Sequence, residues 1–233
     1  MDGKATPFFQ QLTSTQQKYL LQQGTRVKYR TGTTLYYEGE QTNHVYLIQK
    51  GKVRLSKMTI DHKTFYLHLK QEDEIVGEFS LFNEMSTSMT AEVVEDAELV
   101  CFDRLLLENL FTQNGDIAVQ FIKLFARNTQ STQAKFCDLL LYGKTGALYS
   151  ILIRFNNSFG KNHPDGILID VKLTNRDIAN FIGTSRETAN RMLRELEKKE
   201  ILTQENGWII LHDLNFLKST LHCGKCPVEI CTI

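Results

Sequence analysis

LTNRDIANFIGTSRETANRMLRELEKKEIL, residues 173–202, holds two short helical patterns separated by one glycine. Thr174 is a strong helix N-cap, Asp177 completes a capping box three residues on, and Ile178, Phe181 and Ile182 recur at helical spacing. Gly183 supplies a tight turn. Thr184 or Ser185 caps a second helix, whose Met192, Leu193 and Leu196 form an apolar face for the first to pack on. The spacing predicts a helix-turn-helix. Arg186, Glu187, Asn190 and Arg191 fall in the first two turns of the second helix, the part of a recognition helix that meets base edges in the major groove. Arginine can bond guanine O6 and N7 together, and glutamate can accept from cytosine N4. Thr174, Thr184 and Ser185, at the helix starts, complete the candidate DNA-contacting set.

Two helices on a glycine turn also occur in proteins that never touch nucleic acid, so the flanks matter. Glu205-Asn206-Gly207-Trp208 lies between Ile201-Leu202-Thr203 and Ile209-Ile210-Leu211, a hairpin signature with an Asn-Gly turn that reads as the wing of a winged helix. Upstream, Ile167–Val171 reads as a further strand entered through Asp165-Gly166.

The segment SRETANRMLRELEKKEIL resembles the recognition helix of the CRP/FNR superfamily of bacterial transcription regulators, and the resemblance extends over nearly the whole chain. It implies a homodimer on palindromic double-stranded DNA, working with RNA polymerase in the cytoplasm, and no enzymatic activity. The Arg186, Glu187 and Arg191 set is similar to that of family members reading TGTGA, which implies a TGTGA-N6-TCACA box. Twofold symmetry then sets half-site centres about 34 Å apart.

Composition agrees with a DNA-binding module that needs a second copy. The 233 residues carry 27 basic and 27 acidic side chains and are 42% hydrophobic, so cores are affordable but no bulk charge holds the chain to nucleic acid. The helix-turn-helix itself is only slightly positive, and two copies would double its phosphate contacts. The start, MDGKATPFFQQLTSTQQ, lacks a secretory pattern, and no run of about 18 apolar residues predicts a membrane span.

Residues 25–103 have the grammar of an antiparallel β domain, with short apolar runs punctuated by Gly32, Gly39, Gly51 and Gly77. Val45–Ile48 and Val53–Leu55 read as a hairpin around Lys50-Gly51-Lys52, and a double-sheet jelly roll is expected. EGEQTNHVYLIQKGKVRL resembles the family's sensor barrel. A metal-dependent barrel enzyme would need clustered ligands, yet His44, His62 and His68 are scattered. A cyclic-nucleotide receptor is the harder alternative, since Gly77–Phe82 resembles the opening of the family's phosphate cassette. By that alignment its arginine-serine pair falls on Ser88 and Met89. Without a cation, desolvating a phosphate costs more than hydroxyls return, so cyclic nucleotide is not an expected ligand.

From Gly115 to about Leu141 the period becomes helical, with Ile117, Phe121, Leu124 and Ala118, Ile122, Phe125 forming one broad apolar stripe. A helix of about 27 residues runs about 40 Å, long for one small domain. The family uses the equivalent helix for a two-chain coiled coil. Gly143 and Gly146 break the period and mark a domain boundary. The expected organisation is α+β: a jelly-roll sensor domain at 1–114, a dimerisation helix at 115–142, a winged helix-turn-helix at 143–220 and a cysteine tail at 221–233.

That tail carries Cys223, Cys226 and Cys231, with Cys101 and Cys137 alone elsewhere. Clustered thiols without a signal peptide point to metal or redox chemistry. By spacing alone two readings stand level: zinc, with His222 as fourth ligand, or an iron-sulfur cluster. HCGKCPVEICTI then resembles the carboxy-terminal tail of Bacillus-type Fnr regulators, which implies an oxygen-responsive [4Fe-4S] cluster, one per chain, and control of anaerobic metabolism genes. The same resemblance, through FCDLLLYGKTGALYSILIRF, puts the fourth ligand on Asp138, with Cys137 a rival about 100° away around the helix. A zinc-stabilised adaptor that docks protein partners is the alternative function.

Overall fold

A computed structural model of the chain describes residues 6–81, 86–223 and 226–233. Phe82 of the cassette segment and Gly224 and Lys225 of the tail lie outside these. The chain forms two compact units, Thr6–Ala126 and Arg127–Ile233.

The first unit opens with α1 (Ser14–Gln23), capped by a Thr13–Gln16 capping box. Six strands follow, β1 (Thr25–Tyr29), β2 (Thr34–Tyr36), β3 (His44–Met58), β4 (Thr64–Lys70), β5 (Ile75–Val76) and β6 (Thr90–Asp103). They form an antiparallel sheet of order β1-β6-β3-β4, with β2 added to β6 and β5 to β3. Alternation along β3 explains the packing. Val45 and Leu47 face one way, into a cluster with Leu20, Leu107 and Phe121. Tyr46 and Ile48 face the other, into the barrel interior with Val53, Val93 and Leu99. The apolar run is thus buried on both sides, which is why it does not alternate with polar residues.

The hairpin expected at Lys50-Gly51-Lys52 is absent. β3 runs straight through it, and the pairing with β6 slips at Ile48/Lys50, Lys50/Lys52 and Lys52/Val53. Gly51 is a β-bulge residue with φ +90°, and a Cβ there would lie 2.5 Å from the Asp96 carbonyl oxygen. A glycine inside an apolar pattern marks a bulge as readily as a turn.

After α2 (Arg104–Gln113), capped by Asp103, α3 spans Gly115–Phe159. Its helical geometry is broken once, at Gly143, with φ 62° and ψ −156°. The helix then resumes, so the strand-and-turn grammar begins only after Phe159. The single stripe expected on α3 divides in two. Ile117 and Phe121 are buried in the first unit's own core, with Ala118 and Leu124 packed beside them, whereas Ile122 is 66% exposed. In the second unit Phe136, Leu140 and Leu141 are also exposed. By composition α3 is apolar enough to cross a membrane, but Leu148, Ile151, Leu152, Ile153 and Phe155 are core residues.

The second unit continues with β7 (Gly160–His163), β8 (Gly166–Ile169), α4 (Asn175–Ile182), α5 (Arg186–Lys198), β9 (Leu202–Glu205), β10 (Trp208–Leu211) and α6 (Leu214–Thr220). Its sheet has the order β7-β8-β10-β9. Asn206 and Gly207 take φ values of +52° and +85° at the β9–β10 turn, the conformation that Asn-Gly favours in two-residue hairpins. The winged helix-turn-helix is therefore complete.

Candidate functional site

Two candidate sites lie on the second unit. The first begins at the end of α6, where Leu217 and Leu221 are buried and the Cys223 amide donates to the Lys218 carbonyl at 2.8 Å. Pro227 starts a single 3₁₀ turn, Val228–Ile230, and the Cys231 amide closes it onto Val228. The tail then lies on α3. Ile233 is buried, and its amide donates to Ser158 Oγ at 3.2 Å. Asn157 Nδ2 donates to the Cys231 carbonyl at 2.8 Å.

This return brings Cys223, Cys226, Cys231 and Asp138 to the wall of one cavity of about 180 Å³, with Ser150 and Arg154 beside them. The two rivals stand apart from it. Cys137 is exposed, as is His222, whose ring lies 6.5 Å from that of Tyr142. Neither lines the cavity. The Asp138 carboxylate accepts from Ser150 Oγ at 2.6 Å and lies 3.7 Å from Arg154 Nη2.

The electrostatics describe a site crowded with potential anions. Burial pushes the Cys223 thiol up, and Cys231, Asp138 and Cys226 add to that while Arg154 opposes it. Burial also raises Cys231, with Arg154 pulling down and Cys226 and Asp138 pushing up. Thiols held this way keep their protons until a cation replaces them. Among the described residues no three His, Cys, Asp or Glu side chains are close enough to hold one metal ion. Three thiols and a carboxylate on the wall of one cavity are a donor set of the chemistry that holds zinc or an iron-sulfur cluster.

The second site is the recognition helix. Thr174 caps α4 through the capping box with Asp177, its hydroxyl donating to Asp177 Oδ2 at 2.6 Å. Gly183, at φ +63°, ends α4, and Ser185 caps α5 by accepting from the Thr188 amide. Arg186, Glu187 and Arg191 are exposed in the first turns of α5. The Glu187 carboxylate is held below its usual range by its own backbone amide and then by the Ser185 hydroxyl, so it is ready to accept. Two candidates are placed differently. Asn190 Oδ1 accepts from Asn175 Nδ2 at 2.9 Å, joining the two helices. The Thr184 hydroxyl is buried with no hydrogen-bond partner among the described residues, and its amide donates to the Ala179 carbonyl.

Sequence reading overlooked Arg154, Ser150 and Asn157, which support the cysteine site. The signal was present in ALYSILIRFNNSF, where polar residues 150, 154, 157 and 158 share one helical face in an otherwise apolar run.

Comparison with known proteins agrees with this architecture. Residues 26–114 match the cyclic nucleotide-binding domain family and residues 146–220 the Crp-like helix-turn-helix domain family. The chain is 43% identical over 211 residues to the anaerobic regulatory protein of Bacillus subtilis, covering 90% of this chain and 89% of that one. A CRP-like cAMP-activated global transcriptional regulator of Mycobacterium tuberculosis is 26% identical over 83% of each chain. Among solved structures, CooA from Carboxydothermus hydrogenoformans superposes with a TM-score of 0.77 at 21% identity, covering 93% of this chain and 96% of that one. The c-di-GMP responsive regulator CLP of Xanthomonas campestris gives 0.76, also at 21%, over 86% and 100%. With both domain types present in this order and a relative so similar over nine-tenths of its length, the chain belongs to the CRP/FNR family of DNA-binding transcription regulators.

Proposed function

We propose that this regulator responds to oxygen through a [4Fe-4S] cluster, one per chain, held by Cys223, Cys226, Cys231 and Asp138, and that it governs genes of anaerobic metabolism. The observation that carries the proposal is the meeting of these four donors at one cavity wall. When bound, the cluster supplies oxygen-labile bonds between the tail and α3. The chain's own part is to fix the donors. Asp138 comes from the amino-terminal piece of α3, and the three cysteines follow α6, which ends the DNA-binding module. Ligation therefore ties that module to the helix. Shifting a two-state equilibrium from 1:99 to 99:1 takes about 5.5 kcal/mol, and structural zinc sites supply on the order of 10 kcal/mol, so metal ligation is strong enough to switch orientation.

The protein acts as a cytoplasmic homodimer on a TGTGA-N6-TCACA-like palindrome, with RNA polymerase as a partner. Ile122 in the first unit, and separately Leu140 and Leu141 in the second, are exposed apolar side chains of α3 that a second copy would cover. Arg186, Glu187 and Arg191 read bases, while Thr174, Ser185 and Asn190 act mainly by shaping the two helices. The barrel serves as scaffold rather than cyclic-nucleotide receptor. Ser88 and Met89 offer no cation, and Lys70 is spent on Glu74 at 3.2 Å.

Purification without oxygen, followed by iron, sulfide and zinc analysis, tests the cofactor. About four irons and four sulfides per chain with a brown colour are expected. A colourless protein with one zinc per chain would instead favour the adaptor.

A further inference from the structure

We propose that Arg154 is the positioning residue of the tail site, tying the Cys231 segment to both pieces of α3 and supplying the positive charge around which the anionic donors converge. This rests on the ligand set above. Arg154 is 1% exposed and heads the fully buried side chains by volume. A guanidinium so buried is costly unless its donors are engaged; here Nε bonds within its own helical piece while Nη1 and Nη2 reach other segments. Nε donates to Ser150 Oγ at 3.1 Å. Nη1 donates to Ser131 Oγ at 3.1 Å, to the Ile230 carbonyl at 3.0 Å and to the Thr232 carbonyl at 3.2 Å. Nη2 lies 3.7 Å from Asp138 Oδ2.

One planar fork thus reads a hydroxyl on each side of the Gly143 break, the two carbonyls flanking Cys231, and the Asp138 carboxylate. Asn157 holds the carbonyl between them, so three successive tail carbonyls are fixed while the Cys231 side chain lines the cavity. Every one of these bonds joins protein to protein. The rigid fork, rather than charge alone, does the tying, because lysine's single ammonium cannot span four acceptors on three segments. The charge has a second role. Three thiolates and a carboxylate brought together repel one another, and Arg154 is the buried cation among them.

Amide hydrogen exchange on the full chain, stripped of iron, separates the first role. In Arg154→Gln the amides of Ile230–Ile233 should exchange about tenfold faster or more than in the parent, with α4 and α5 unchanged. Ser131→Ala, which removes the hydroxyl's bonds to Arg154 and to the Thr232 carbonyl but leaves the guanidinium on Ile230 and Thr232, should give a smaller increase confined to the tail. Equal exchange in parent and Arg154→Gln, or faster exchange spread equally over α4 and α5, would overturn the tying role.

The reduction potential of the reconstituted cluster reads the second role. It should fall in Arg154→Gln and return toward the parent in Arg154→Lys, while tail exchange in Arg154→Lys stays fast. Identical potentials in all three would overturn the charge role. Should the parent take up neither iron nor sulfide, the ligand set and the charge role fall together, and the exchange experiment still decides whether Arg154 ties the tail.

Discussion

Ser150 donates a 2.6 Å hydrogen bond to Asp138 from the far side of the break in α3 at Gly143. In an unbroken helix these residues, twelve apart, would be about 18 Å apart along the axis. The break folds one piece back on the other and delivers Asp138 to the cysteines. Gly143, at φ 62° and ψ −156°, occupies backbone space open only to glycine, though a Cβ there would touch nothing. Gly143→Ala should therefore cost roughly 1–3 kcal/mol through conformation alone. Thermal melts should show that loss, and iron retained after anaerobic desalting should fall with it.

Asp138→Ala should leave a labile cluster or none, whereas Cys137→Ala should load like the parent. Absorption spectra and sulfide content of the two proteins, prepared side by side without oxygen, provide the comparison. Loss on Cys137→Ala with retention on Asp138→Ala would reverse the assignment.

The helix-turn-helix and wing were fully legible because they depend on local chemistry: a capping box at Thr174, a left-handed Gly183, an Asn206-Gly207 turn. The candidate site was legible in its donors but not in their supports. Cys223, Cys226 and Cys231 stand together in sequence, but their supports Arg154 and Ser131 are joined to the tail across 76 to 101 residues, and no local pattern encodes such pairings. The β3 bulge was misread for a related reason. Gly51 answers to the Asp96 carbonyl across the sheet, not to its neighbours. Likewise the stripe on α3 looked uniform, since periodicity reports which residues are apolar and not which partner each one meets.

Glu187→Ala should relax preference at one base pair of each half-site and cost about 1–3 kcal/mol, while Lys198→Ala should weaken all sequences alike and flatten the salt dependence by about one unit. Titrations of the palindrome and single-base variants over a salt series distinguish the two. Uniform weakening by Glu187→Ala would remove it from base reading.

Ile122 and Leu140 are 66% and 64% exposed on α3. Burial by a second copy is worth about 1.5–3 kcal/mol for each such side chain, so the double variant Ile122→Glu/Leu140→Glu should sediment as a monomer where the parent is a dimer. An unchanged dimer would place the interface elsewhere.

The most direct test of the account is the affinity of one preparation for the TGTGA-N6-TCACA duplex, measured anaerobically and again after exposure to oxygen, at identical salt. Specific binding should weaken by tenfold or more, on the order of 1.4 kcal/mol, with the sedimentation coefficient still that of a dimer and binding to scrambled duplex unchanged. Equal affinity before and after, with iron and sulfide shown to be lost, would contradict the account.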